Sequence, residues 1–467
     1  MSGIEHLANL LHVQREAFLA EPEPTLAVRQ DRLARLERLL RENRAAFAQA
    51  INRDFAGRSP SETALLEFFP SLQGIAHARR HLKAWMRDER RHVSIWFQPG
   101  RARVRYQPLG VAGIIVPWNY PLFLAIGPLT AALAAGNRAL LKLSEFTPAF
   151  SALFAERVAA HFAADELAVV QGGVEVAQAF AALPFDHLLF TGSTAVGRQV
   201  MRTAADALVP VTLELGGKSP VLIAPGFDLE LAARRIAMAK LLNAGQTCVA
   251  PDYVLLPQGS EAAFAAALKM AATALYGDGR TADYTSIINA RQHARLCGLL
   301  DDARAAGARC LPLFEGSGDL GVRRLMPQLL LDVPLDSRIM QEEIFGPLLP
   351  VIPYTDTAAA IRFINARERP LALYVFDDDR RRVEQVIAAT RSGGVTVNDC
   401  MLHVAQDDLP FGGVGASGMG HYHGREGFIT FSKLRPVFRQ SRFNALPLLA
   451  APYGARARRL LRLMLGD

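Results

Sequence analysis

Apolar residues recur at three-to-four spacing over residues 33–40 and 47–51. An apolar run over 61–68 opens behind Ser61-Glu62-Thr63-Ala64, so the first hundred residues are predicted to be helical. Charges crowd residues 79–91. After them Val104-Arg105-Tyr106-Gln107 alternates apolar and polar, as an exposed strand does. From Val111 short, wholly apolar runs alternate with helical stretches. Strands are expected at 111–116, 139–143, 167–170 and 187–190, with helices at 122–135, at 148–162 and from the Gly-Ser-Thr turn at 192–194 to about 207. A second unit of the same kind runs from 221–224 to about 397. Alternation of this type predicts parallel sheets with helices on both faces, an α/β fold. The sequence has no internal repeat and no Gly/Ser or Pro-rich linker. The two units should therefore pack closely, with a site in the cleft between them.

A chain of 467 residues is too long for one core, and two or three domains are expected. Hydrophobic residues make up 50% and charged residues 21%, which excludes a disordered chain. The net charge of +7 is spread thinly and has no aromatic-basic interleaving, so it reads as a solvated surface, with no nucleic-acid partner. Six of the 52 basic residues are lysines, which draws attention to Lys142 and Lys218 inside the motifs below. Cys248, Cys297, Cys310 and Cys400 show no Cys-x-x-Cys or Cys/His spacing. That argues against a metal site and a disulfide framework, and fits a reducing, cytoplasmic setting. Residues 1–14 lack the layout of a signal peptide, and the uncharged stretch 107–137 is broken by Pro117, Pro121 and Pro128.

Three constellations carry chemistry. Gly192-Ser193-Thr194-Ala195-Val196-Gly197 lies between a predicted strand and helix, where glycines admit a pyrophosphate to a helix N-terminus; an unliganded tight turn is the plain alternative. Lys142-Leu143-Ser144-Glu145 ends the second strand of the sheet. An acid there accepts ribose hydroxyls and repels a 2′-phosphate, so Glu145 favours NAD over NADP; otherwise the pair is a solvated strand end. Glu214-Leu215-Gly216-Gly217-Lys218 precedes Gly245-Gln246-Thr247-Cys248. A lone cysteine is more often a buried apolar residue. Cys248, however, follows a turn after a helix, where a backbone N–H can face a substrate. Cys297, Cys310 and Cys400 are read as structural.

These motifs occur in order with Pro117-Trp118-Asn119-Tyr120-Pro121, Glu343-Ile344-Phe345-Gly346-Pro347, Pro410-Phe411-Gly412-Gly413 and Ser417-Gly418-Met419-Gly420. Together, over roughly residues 30–440, they resemble the aldehyde dehydrogenase superfamily. The stretches 393–399 and 422–432 resemble its class 3 branch. The string His403-Val404-Ala405-Gln406-Asp407-Asp408-Leu409 and the region 17–32 resemble bacterial coniferyl aldehyde dehydrogenases.

The resemblance implies a Rossmann-like NAD(P)-binding domain (1–98 and 109–213) and an α/β catalytic domain (214–405). It adds oligomerisation strands at 99–108 and 425–440, with residues 101–107 and 426–435 projecting together as a ribbon that pairs across a homodimer. It assigns Cys248 as nucleophile, Glu214 as base, and the Asn119 amide with the Cys248 N–H as oxyanion hole. Trp118, Lys142, Glu145, Gly192, Ser193 and Gly197 would surround the adenosine and pyrophosphate. Glu343 (or, one register away, Glu342) and Phe345 would hold the nicotinamide end. NAD is the implied cofactor, with NADP possible because class 3 relatives accept it despite the glutamate. A coniferaldehyde-type aromatic aldehyde is the implied substrate, with medium- or long-chain aliphatic aldehydes as the alternative. An acylating enzyme would lack the glutamate, and a non-catalytic scaffold would lack one of Asn119, Glu214 or Cys248. In the tail, 443–467, arginines at 456, 458, 459 and 462 interleave with leucines, forming a basic amphipathic helix that would cap the dimer or the substrate mouth, or touch a membrane surface.

Overall fold

A computed structural model of the chain describes residues 3–315 and 320–466. The ends of the ranges read above as 1–98 and 443–467, and residues 316–319 within 214–405, lie outside the described residues.

Strands β1 (Glu89–Arg91) and β2 (Arg101–Pro108) are followed by β3 (Val111–Ile115), β4 (Arg138–Lys142), β5 (Leu167–Val170), β6 (His187–Thr191) and β7 (Val211–Glu214). The second unit supplies β8 (Pro220–Ile223), β9 (Tyr253–Pro257), β10 (Arg309–Pro312), β11 (Gln328–Leu331), β12 (Leu348–Tyr354), β13 (Ala372–Phe376) and β14 (Gly394–Val397). Beyond it come β15 (Gly418–Met419) and β16 (Ser432–Arg439). Three sheets result, in the orders β15-β7-β6-β3-β4-β5, β10-β11-β12-β9-β8-β13-β14 and β1-β2-β16. The first two are parallel except for their edge strands β15 and β10. Strands β3, β4 and β6 are buried along their whole length, which is why they read as continuous apolar runs.

In the first sheet the chain moves outward from β3 through β4 to β5, then returns to β6 on the other side of β3. Neighbouring connections therefore diverge at the carboxyl ends of β3 and β6, leaving the crevice in which parallel sheets bind ligands. The loop after β3 carries Trp118 and Asn119; the loop after β6 carries Gly192 and Ser193.

The stretch 426–435 is a helix followed by a strand, not one strand. Gly424–Thr430 is helical, and β16 begins only at Ser432. Gly424 starts the helix at φ 53, and Phe428 is buried with its ring 5.8 Å from Trp85 and 5.7 Å from Tyr106. Docking that aromatic on the core overrides the strand pattern. The charged residues 89–91, expected among helices, instead form β1 against β2. The helix expected at 61–68 starts at Pro60 and widens into a π-turn over Ala64–Phe68. In the tail, Ala455–Leu465 is an amphipathic helix with Leu461, Leu463 and Leu465 exposed.

Candidate active site

The cleft between the two parallel sheets encloses about 290 Å³. The first sheet contributes Trp118, Asn119, Gly192, Ser193 and Glu214 to its wall; the second unit contributes Cys248, Glu343 and Phe345.

Cys248 owes its position to an unusual turn. After the helix Leu229–Leu241, Asn243, Ala244 and Gly245 all take positive φ (52, 50 and 74), which reverses the chain within a few residues. Such conformations cost of order 1–3 kcal/mol each for residues bearing a Cβ. Buried hydrogen bonds hold them. The Asn243 N–H donates to Glu62 Oε2 at 3.0 Å, and Asn243 Nδ2 donates to the Asn119 carbonyl at 3.0 Å and to the Gln246 carbonyl at 3.1 Å. Gln246 Nε2 donates to the carbonyls of Asn243 (2.9 Å) and Ser286 (3.1 Å), and its Oε1 accepts the Ile288 N–H. The Asn119 side chain is tied to the same turn, Nδ2 donating to the Gln246 carbonyl at 3.3 Å. The loop after β3 and the cysteine turn are thus one hydrogen-bonded unit. Arg58, wholly buried, closes it from below, donating to the Asn119 carbonyl at 3.1 Å and to Glu67 Oε1 at 2.8 Å.

Glu214 ends β7 and is 2% exposed, and neither carboxylate oxygen has a hydrogen-bond partner among the described residues. Burial alone pushes its pKa well above the usual carboxylate range. Cys248 is half-buried and lines the cleft. Burial, then the nearby charges of Glu343 and Glu214, push its thiol up to about 12; the N–H groups of Cys248 and Val249 pull the other way. At neutral pH Cys248 therefore rests as a thiol.

Glu343 lines the cleft, whereas its neighbour Glu342 turns away to pair with Arg338 at 3.1 Å. Burial and the adjacent Asp252 raise the Glu343 carboxyl to about 8, against the Gly217 N–H, Lys218 and Arg295. Lys218 in turn pairs with Asp252 and donates to the Ile339 carbonyl at 2.7 Å. Phe345 sits at φ 49 with its ring edge-on to Trp118, centroids 5.3 Å apart.

These residues suit a dinucleotide. Ser193 caps the helix Thr194–Asp206, whose N-terminus opens at the sheet crevice. A side chain at Gly216 would collide with the Glu343 carboxylate, so the glycine lets that carboxylate pack against the backbone at the cleft wall. Gly197 stands one turn into the helix, buried against Leu215, where a Cβ would meet Leu215 Cδ2 at 2.6 Å; it brings the helix close to β7 rather than lining the cleft. Lys142 and Glu145 also lie outside the enclosed part of the cleft. Lys142 is buried at the end of β4, its Nζ donating to the Leu143 carbonyl at 2.7 Å and lying 3.8 Å from the half-exposed Glu145.

Sequence reasoning passed over Thr191, Gln292 and Arg295, which also line the cleft; Gln292 and Arg295 belong to an ordinary helical pattern that gives no signal. It also passed over the Arg58–Glu62–Glu67 cluster. There a signal existed: an acid in the middle of Leu66-Glu67-Phe68.

A parallel-sheet crevice suited to a dinucleotide, facing a cysteine and a buried carboxylate without a partner among the described residues, fits a nicotinamide-dependent oxidoreductase. A model of the aldehyde dehydrogenase family matches residues 6–437, and the chain belongs to that family, an NAD(P)-dependent class of enzyme. It is 54% identical to a probable coniferyl aldehyde dehydrogenase of Pseudomonas aeruginosa, over 98% of this chain and 96% of the relative. It is 47% identical to the coniferyl aldehyde dehydrogenase of a Pseudomonas species, over 99% and 97%. The solved substrate-bound structure of Staphylococcus aureus AldH superposes with a TM-score of 0.92 at 35% identity, covering 98% of this chain and 99% of that one.

Proposed function

We propose that this enzyme oxidises an aromatic aldehyde of the coniferaldehyde type to its carboxylic acid, with Cys248 as nucleophile, Asn119 in the oxyanion hole and Glu214 as base. The observation that carries the reading is the Glu214 carboxylate, buried without a partner among the described residues on the wall it shares with Cys248 and Asn119. A carboxylate kept in so unfavourable a place suits work as a base near neutral pH.

Cys248 Sγ bonds to the aldehyde carbon and releases its proton through the cleft. The carbonyl oxygen becomes an oxyanion, which the Asn119 amide and the Cys248 N–H stabilise. The C–H bond breaks as the oxyanion collapses to a thioester; NAD(P), when bound, would supply the acceptor for that hydride, and Glu343 and Phe345 would hold it at one end and Trp118, Ser193, Gly192, Lys142 and Glu145 towards the other. Glu214 then takes a proton from water, whose oxygen attacks the resulting thioester. The carbon–sulfur bond breaks and the acid departs. Glu145 favours NAD.

Two unpaired edges support a homodimer. Strand β16 bounds one side of the three-stranded sheet, and β14 ends the seven-stranded one. A monomeric mass by light scattering would refute it. Four free cysteines fit a cytoplasmic setting. Catalytic efficiency with coniferaldehyde, cinnamaldehyde and hexanal, in NAD and NADP, with Cys248→Ala as control, tests the activity. Coniferaldehyde with NAD should lead; hexanal in front would refute the aromatic reading.

A further inference from the structure

A second cavity, of about 40 Å³, lies between the helices Phe69–Trp85 and Phe123–Ala135 and the segments around Val404 and Tyr422. Trp85, Phe123 and Tyr422 give it aromatic walls, and the ring of His423 stands edge-on to Phe123 at 6.2 Å and to Tyr422 at 4.8 Å. Gly127 adds no side chain to the wall; a Cβ there would meet Tyr422 Cε2 at 3.1 Å. The space admits a small polar group or a couple of waters, not a whole ring.

Its lining carries more hydrogen-bonding capacity than the protein uses. Ser71 Oγ, Thr130 Oγ1, Tyr422 OH and His423 Nδ1 are all buried without a hydrogen-bond partner among the described residues. A fifth atom, His77 Nε2, has only Asp408 Oδ1 at 3.7 Å. Buried polar groups are rarely left unmatched, so several together around one small space point to something that occupies it. The loop that carries Asn119 runs directly into the helix Phe123–Ala135, whose first residue walls the cavity, which places the cavity next to the cleft. The charges of Glu214 and Cys248 also reach Tyr422 and raise its hydroxyl.

The chemistry of the occupant follows from charge. Among the described residues no lysine or arginine lines the cavity, and burial with the neighbouring His403 lowers His423 to about 4, leaving it neutral. Asp407, on the same wall, is itself raised by burial. An anionic end group would find no cation here, whereas a neutral hydroxyl or ether oxygen would find several donors.

We propose that this cavity is the subsite for the hydrogen-bonding substituent at the far end of the substrate, a phenolic hydroxyl or its adjacent methoxyl, recognised by Ser71, Thr130, Tyr422 and His423. The proposal rests on the aromatic-aldehyde reading and makes substituents on the ring, not the ring alone, the object of selection. Sites built to bond a substrate hydroxyl reject the analogue lacking it by roughly 10⁴ or more. Here water can also satisfy the hydroxyls, so discrimination on the order of tenfold to a hundredfold is expected.

The test compares kcat/KM for coniferaldehyde, cinnamaldehyde and hexanal in the wild type and in Ser71→Ala and Thr130→Val. The wild type should prefer coniferaldehyde to cinnamaldehyde by about tenfold or more, and each substitution should move that ratio towards one. Equal efficiencies of the two aromatic aldehydes in the wild type would overturn the subsite and leave the aromatic reading standing. A ratio unmoved by either substitution would also overturn it. Hexanal ahead of both would overturn the aromatic reading, and the subsite with it. Should a variant fold poorly, its cinnamaldehyde rate falls as well, and the wild-type ratio gives the answer.

Discussion

Replacing Glu214 by Gln removes a charge and almost nothing else. Both carboxylate oxygens are buried without a partner among the described residues, so the nearly isosteric amide breaks no hydrogen bond. What is lost, on the proposed role, is the base. General-base assistance is worth roughly 10²–10⁴ in rate, and steady-state turnover should fall by about that much. Hydrolysis is the step affected, because Cys248 can lose its thiol proton through the cleft that leaves it half-exposed. Rapid mixing should therefore show a burst of reduced cofactor near one equivalent per active site, followed by slow turnover.

Stability gives an independent readout. A carboxyl whose folded pKa exceeds its unfolded value binds more protons in the folded state. It thus makes the wild type lose stability as pH rises from the unfolded value through the raised one. Each pH unit in that window is worth about 1.4 kcal/mol. Glu214→Gln lacks this penalty, so its melting temperature should match the wild type in acid and exceed it at neutral and higher pH. Turnover within about tenfold of the wild type, or a slow variant without a burst, would refute the assigned role; an unchanged melting temperature at every pH would refute the unpartnered burial.

Asn119→Ala should lower kcat by about 10²–10³. Thermal stability should change little, because the side chain gives up a single 3.3 Å hydrogen bond while the buried contacts to its carbonyl remain. Alkylation of Cys248 by iodoacetamide, corrected with Cys248→Ala, should climb steadily with pH to at least about 10 without a plateau, since only the thiolate reacts. Glu343→Gln removes one of the charges that raise the thiol and should speed that reaction above about pH 8, where Glu343 is ionised; a plateau near neutrality in the wild type would contradict the raised thiol. For the tail, the exposed leucines of the helix Ala455–Leu465 are expected to cover a second protomer. Flotation with anionic liposomes of the full chain, but not of one ending at Arg442, would overturn that in favour of a membrane surface.

Much of the architecture is local and was therefore legible. The buried strands β3, β4 and β6 need side chains that are apolar on both faces, and that requirement is written directly into five-residue runs. The motifs around Asn119, Gly192, Glu214, Cys248 and Glu343 sit at strand ends and turns, where short stretches must meet strict backbone demands. The strand expected at 426–435 failed for a non-local reason, since Phe428 is claimed by Trp85 and Tyr106 from distant parts of the chain.

The succession of strands along the chain and the chemistry of the turns were thus legible in the sequence alone, through periodicity and residue type, whereas the order of the strands within each sheet was not. Only the tertiary structure decided how these groups behave. Glu214 becomes a raised acid, and Cys248 a thiol, because packing strips water from both and sets Glu343 beside the sulfur. The choice of Glu343 over Glu342 came from which carboxylate faced the cleft. The unmatched hydroxyls of Ser71, Thr130 and Tyr422 came together only when helices far apart in sequence closed around one small space. Burial and electrostatic fields are sums over neighbours in space, and no window of sequence contains them.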